Sequence, residues 1–119
     1  MTNAEFNELF RQRTRKFAVR ILQFLDTLPN GNKTRIISYQ LGKSATSVGA
    51  NFRAFCRGRS QKEKYAKICI VVEEADESEY WLLMLDDLNL GAVNERKLLL
   101  KESLEIVKVC AKIKSGLGG

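Results

Sequence analysis

The run Gln40-Leu-Gly-Lys-Ser-Ala-Thr-Ser-Val-Gly-Ala-Asn-Phe-Arg53 sorts its residues cleanly only when wound as a helix. At about 100° per residue, Gln40, Ser44, Ser47 and Asn51 fall in one narrow polar stripe. Ile37, Leu41, Val48, Phe52 and Phe55 form an apolar stripe directly beside it. Buried amides and hydroxyls cost free energy unless they find partners, so the polar line is expected to serve as a structural hydrogen-bonding seam between helices. The far side carries Arg35, Lys43, Arg53 and Arg57. A single helix thus offers a core face, a polar seam and a cationic outer face.

The same periodicity extends in both directions. Upstream, Phe6, Phe10, Phe17, Ile21, Phe24 and Leu28 recur at helical spacing and predict a helix over about 5–28, ended by Pro29-Asn30-Gly31-Asn32. The central helix is predicted over about 33–57, with Gly58 as its breaker. Ser60-Gln-Lys-Glu63 has the form of a capping box and opens a third helix, about 60–90, closed by Gly91. Leu98, Leu99, Ile106, Val109 and Ile113 predict a fourth, about 94–114, followed by a flexible tail at 115–119. With a single Pro and no alternating apolar and polar runs, the chain reads as all-α. The third helix is unusual: Ile68–Val72 and Trp81–Leu85 are unbroken apolar runs, so it is hydrophobic nearly all round. Two buried faces on one helix of a four-helix monomer imply a further partner, and an oligomer is expected.

The 119 residues suffice for one domain, 1–119, with a modest core. No apolar run reaches the roughly 18 residues a membrane span needs. The arginine-rich amphipathic start has the look of an organelle-targeting peptide, but Glu5, Glu8 and Asp26 interrupt it, and its apolar stripe is long enough for a core helix. Cys56, Cys69 and Cys110 are odd in number and widely spaced, without the paired spacing a zinc site uses; reduced thiols in a cytoplasmic protein are expected. Charge is uneven: residues 1–60 carry +8 and residues 61–119 carry −2, together the formal net +6. Such asymmetry points to an anionic ligand or to complementary charges between subunits.

Chemistry finds little support. The chain has no His, which removes the commonest general base and metal ligand. Ser44 and Ser47 have no activating base nearby in sequence, so they read as structural rather than catalytic. Glu73, Glu74, Asp76, Glu77 and Glu79 cluster on the third helix, yet bundle di-iron sites use Glu-x-x-His, which is absent. The expectation is no catalytic residue, no metal and no cofactor. The cations Arg11, Arg13, Arg15, Lys16, Arg20, Arg35, Lys43, Arg53, Arg57, Arg59, Lys62, Lys64 and Lys67 are densest across the turn between the second and third helices. They suit phosphate-backbone binding, and equally a solvated face or a match to the acidic third helix of another subunit. Tyr39 and Phe55 suit base stacking and core packing alike.

Gln40-Leu-x-Lys-Ser-Ala-Thr-Ser-Val-Gly-Ala-Asn51, then Arg59-Ser-Gln-Lys-Glu63, then Glu74-Ala-Asp-Glu-Ser78 with Tyr80-Trp-Leu82, resembles the proteins named after the 23S rRNA intervening sequence. The accessory variability protein of diversity-generating retroelements is similar. Many relatives read Asn-Ile-Ala-Glu-Gly where this chain has Asn51-Phe-Arg-Ala-Phe55, so no role of that Glu carries over to Ala54. The resemblance implies an antiparallel up-down-up-down four-helix bundle assembling into a barrel-like homopentamer with a central channel. For the accessory protein it also implies nucleic acid and a reverse transcriptase as partners. The family name reflects where some genes lie and does not by itself demonstrate ribosome binding.

Two functions follow as expectations. The first is a non-enzymatic oligomer binding RNA or DNA backbones, without base specificity, through Arg35, Lys43, Arg53, Arg57, Arg59, Lys62 and Lys64. The second is a structural or protein-interaction oligomer whose charges serve subunit assembly. The direction in which the arginines face separates them.

Overall fold

Thr2 starts the first helix. Its hydroxyl accepts from the Glu5 N–H at 3.1 Å, and its own N–H donates to Glu5 Oε1 at 3.0 Å, a reciprocal cap that sets the start of α1 at Asn3. The computed structural model describes residues 1–117. Its helices are α1 (Asn3–Leu25), α2 (Asn32–Cys56), α3 (Gln61–Asp87) and α4 (Val93–Gly116), with no strand among the described residues. The chain is all-α, a bundle of four helices extending 44 × 24 × 18 Å.

The helix ends depart from expectation for local reasons. α1 stops at Leu25 rather than near 28, because Pro29 disfavours helical geometry at Leu28. The chain tightens instead into a turn in which the Thr27 and Leu28 N–H groups donate to Phe24 O and Leu25 O at 3.0 and 3.2 Å. Leu28 is then buried. α3 ends three residues before Leu90. The Leu90 N–H donates to Leu85 O at 2.9 Å and the Asn89 N–H to Asp86 O at 3.1 Å, the paired bonds of a Schellman motif. Asn89, with φ 53°, takes the left-handed position expected of Gly91. Gly91 is itself left-handed at φ 82°, and a Cβ there would run into the Phe24 ring. α4 continues through Gly116, so Ser115 and Gly116 of the expected tail are helical; residues 118–119 of that tail lie outside the described residues.

Each helix touches its two neighbours around the bundle, α1–α2, α2–α3, α3–α4 and, most thinly, α1–α4. The register is antiparallel throughout. A Cβ on Gly42 would lie 3.6 Å from Leu22 and Leu25, and one on Gly49 would lie 3.5 Å from Thr14 O, so α2 runs back along α1 on small residues. Ser44 Oγ meets Ser78 Oγ at 2.9 Å between α2 and α3. Arg13 and Arg20 on α1 meet Glu102 and Glu95 on α4. Phe17, Ile21, Ile37, Leu41, Phe52, Ile68, Leu82, Leu85, Leu99 and Ile106 fill the centre.

Outside that core, α3 presents Glu73, Asp76, Tyr80, Leu83 and Asp87 to solvent, while Val72, Trp81 and Met84 are half-buried against the core. No helix among the described residues is long and apolar enough to cross a membrane.

Candidate nucleic-acid interface

The polar stripe of α2 divides in the structure. Only Ser44 crosses to another helix: it is buried, donates to Leu41 O at 3.2 Å and shares the 2.9 Å contact with Ser78 Oγ, which also reaches Glu74 O at 2.9 Å. Asn51 turns inward on its own helix. Its amide donates to Ser47 O and Ser47 Oγ, both at 2.9 Å. Gln40 is half-buried. A seam running the full length of the stripe is therefore replaced by one inter-helix contact at Ser44, because the Asn51 amide finds partners one turn back on α2. No buried side-chain polar atom among the described residues lacks a partner.

The cations separate by partner. Arg13 donates through Nε and Nη2 to Glu102 at 2.8 and 2.7 Å, reaches Glu105 at 3.2 Å, and sits 5.7 Å from the Phe10 ring centroid. The Glu102 carboxylate raises the Arg13 pKa further above its ordinary value. Arg20 pairs with Glu95 at 2.8 Å. Arg96 is buried inside the α3–α4 connection, donating to Asp86 at 2.7 Å, Gly91 O at 2.8 Å, Leu90 O at 2.9 Å and Asn89 Oδ1 at 3.2 Å. Lys97 and then Arg96 hold the Asp86 carboxyl below its ordinary value.

Arg15, Arg53 and Arg57 pair with no carboxylate among the described residues. They gather with Arg11 around a groove of about 390 Å³ between α1 and α2. Its α1 wall is Glu8, Arg11, Gln12, Arg15 and Ala18; its α2 wall is Thr46, Gly49, Ala50, Arg53 and Arg57. Arg11 is the partly engaged member, pairing with Glu8 one turn away. Gly49, Ala50 and Ala18 keep the trough open, because no long side chain projects from those positions.

Of the seven cations expected to contact nucleic acid, the structure brings only Arg53 and Arg57 into this groove. Arg59, Lys62 and Lys64 stay around the α2–α3 turn. There the Arg59 N–H donates to Glu63 Oε2 at 2.8 Å, so Glu63 reaches one residue beyond Ser60, while Ser60 Oγ accepts from the Glu63 N–H at 3.1 Å. The Lys64 stem covers Gly58, where a Cβ would come within 2.6 Å of it. Arg35, hydrogen-bonded to Asn32, lies at the other end of α2, and Lys43 at the middle of it. Arg35 stands about 27 Å along the helix from Arg53. Arg11 and Arg15, from the broader basic set, complete the groove, and their i,i+4 spacing on α1 matches that of Arg53 and Arg57 on α2.

The two aromatic candidates part ways. Phe55 is buried against Phe52 at 5.4 Å and is unavailable for stacking, whereas Tyr39 is exposed on the outer face of α2. Burial pushes the Cys110 thiol up to about 12 and also raises Cys56, so both are poor nucleophiles. Among the described residues no three Cys, Asp or Glu side chains converge as metal ligands would.

The sequence profile of the 23S rRNA-intervening sequence proteins matches residues 8–112, nearly the whole bundle. The chain belongs to that family. A crystal structure of a protein of unknown function from the S23 ribosomal protein family of Bacteroides thetaiotaomicron is similar, with 30% identity and a TM-score of 0.82. The similarity covers 92% of this chain and 97% of that one. No curated protein matches. The family match covers every residue of the arginine groove and of the turn beyond it.

Proposed function

We propose that this intervening-sequence-family protein is a non-enzymatic nucleic-acid-binding protein that grips phosphate backbones without reading bases. The observation that carries the reading is the sorting of its arginines. Those facing α4 are matched to carboxylates, whereas of those lining the α1–α2 groove only Arg11 is, through Glu8, and Arg15, Arg53 and Arg57 have no such match among the described residues. Unmatched arginines in a concave surface are suited to displacing counterions from a phosphate chain. Arg59, Lys62 and Lys64 extend the same surface around the turn. Binding of RNA and DNA oligonucleotides of unrelated sequence across a salt series tests this. Affinity that falls steeply with salt and varies little with sequence is expected; absence of binding at low salt overturns it.

A second reading has its own observation. Glu73, Glu74, Asp76, Glu77 and Glu79 form no ion pair among the described residues, and Tyr80 and Leu83 beside them are 53% and 47% exposed. An acidic, partly apolar outer face on α3 suits a neighbouring copy, in keeping with the homopentamer and barrel-like assembly that the family resemblance implies. A reverse transcriptase is a partner only by that same resemblance. Sedimentation at micromolar concentration decides the assembly, and a 13.5 kDa species would exclude it.

A further inference from the structure

We infer that the groove between α1 and α2 is a cleft for one single strand, entered by its phosphates with the bases turned outward, and that Glu8 occupies one end of it as an internal competitor. The inference rests on the nucleic-acid reading above and specifies where and how the strand lies.

The groove has three relevant properties. First, its cations stand on two facing walls. Arg11 and Arg15 on α1 and Arg53 and Arg57 on α2 are each one turn apart, a rise of about 6 Å, comparable with the separation of successive phosphates along an extended strand. The antiparallel register sets Gly49 against Arg15, so Arg53 stands level with Arg11 and Arg57 a turn beyond, and the two staggered rows of guanidinium groups can bracket one backbone from both sides. A duplex instead presents two backbones separated across its grooves, and would call for cations on two separate ridges. Second, none of the lining residues is aromatic, so the trough has no platform on which a base could stack. Phosphate oxygens can use the arginines, and no aromatic face competes for the bases, in keeping with a grip on the backbone. Third, the one acid of the lining is engaged with its neighbours: Glu8 holds Arg11 through one oxygen and accepts from Gln12 Nε2 at 3.0 Å through the other. A phosphate arriving at this end must share Arg11 with that carboxylate.

The test uses the full chain and fluorescent 20-nucleotide single strands, with a duplex of the same sequence, at salt from about 50 to about 200 mM. Ala50 is an exposed residue on the groove wall, so Ala50→Trp fills the trough without changing charge. It should weaken single-strand binding by about tenfold. Arg15→Ala with Arg53→Ala should flatten the salt slope by about 1.4, the release of two phosphate contacts on a single strand. Glu8→Gln should do the reverse, tightening binding and steepening the slope by about 0.7 as Arg11 is freed. A gain of affinity cannot come from misfolding, so this variant guards against a groove variant that merely unfolds.

Unchanged binding by both Ala50→Trp and Glu8→Gln overturns the inference, as does a duplex bound as tightly as the single strand. If Lys62→Ala with Lys64→Ala abolishes binding while the groove variants retain it, the nucleic-acid reading survives and the groove is excluded. If the parent binds no strand at low salt, both readings fall together.

Discussion

The two long edges of α1 carry the same kind of side chain in opposite circumstances. Toward α4 the helices touch thinly, and Arg13 and Arg20 meet Glu102 and Glu95. Both pairs are seven residues apart on each helix, as an antiparallel register requires. Toward α2 the backbones approach closely on Gly42 and Gly49, and Arg11, Arg15, Arg53 and Arg57 line a groove between the two helices. On the first edge, charge compensates for sparse apolar contact. On the second, small residues supply the contact and the charge is left over. A cation thus has a different role according to what stands opposite, and each edge can be tested by removing what defines it.

The extreme of the paired class is Arg96, 3% exposed and bonded to a carboxylate, two carbonyls and an amide oxygen. Arg96→Ala should destabilise by about 3–5 kcal/mol in urea unfolding, because it leaves Leu90 O, Gly91 O and Asn89 Oδ1 without their donor and Asp86 with Lys97 alone. Lys97→Ala, on the same carboxylate but exposed, should stay within about 0.5 kcal/mol. The pair has a pH signature as well. Asp86 is more acidic folded than unfolded, so its contribution is complete above the unfolded value of about 3.9 and lost as pH falls through the lower folded value. Asp86→Asn should remove that acid-side loss. An Arg96→Ala protein as stable as the parent would mean that the connection is not held by its buried charge.

Next in size is the close edge. A Cβ on Gly49 would lie 3.5 Å from Thr14 O and 3.6 Å from Arg15 Cα, ordinary contact. Gly49→Ala should therefore raise stability by about 0.5–1 kcal/mol through helix propensity. Gly49→Leu has no room for its branch and should cost about 1–3 kcal/mol as α1 and α2 are pushed apart. The sign change between the two substitutions is the check. Destabilisation by both would place the helices closer than the structure does.

Much of this was legible beforehand, and the omissions have physical causes. Helical spacing marks α1, α2 and α4 because each buries one stripe, while the cap at Ser60–Glu63 marks α3, and Pro29 and Gly58 mark the ends of α1 and α2. The position of the left-handed residue after α3 was not legible, since Asn89 and Gly91 both tolerate it and packing against Phe24 requires Gly91 to remain glycine. The spacing of Arg96 signals its burial: it lies on the buried stripe with Leu99, Ser103, Ile106 and Cys110. The i,i+7 arginines of α1 and i,i+7 glutamates of α4 likewise signalled their pairing. The arginine groove was harder, because no single helix contains it. The density of cations near the turn singles out Arg53 and Arg57, but their companions on α1 emerge only once Gly42 and Gly49 bring that helix alongside. The stripe that holds Asn51 borders the core and so suggests a partner on another helix; the Ser47 carbonyl one turn back is an equally good partner.

A smaller effect sharpens the α4 edge. Arg13 is 38% exposed and Glu102 18%, so solvent screens their attraction, and a double-mutant cycle on the two should give a coupling of about 0.5–1 kcal/mol. Part of any Arg13→Ala loss that persists without Glu102 belongs to the contact with the Phe10 ring. A coupling of zero would make this edge an apolar contact with ornamental charge and erase the contrast with the groove.

The smallest expected change concerns the groove itself. Arg15 and Arg53 have no carboxylate to lose, lie on exposed positions and stand among other cations. Removing either should therefore not destabilise the fold, and relief of like-charge repulsion should raise stability by a few tenths of a kcal/mol at low ionic strength. That gain should vanish at about 1 M salt, where the screening length falls to about 3 Å. Urea midpoints of Arg15→Ala and Arg53→Ala at the two salt concentrations measure it. If either variant loses stability at low salt by as much as Arg13→Ala, that arginine has a structural partner and is not held free for a ligand. A small low-salt gain that disappears in salt identifies a charge that the folded chain tolerates rather than uses, which is the property an open phosphate site requires.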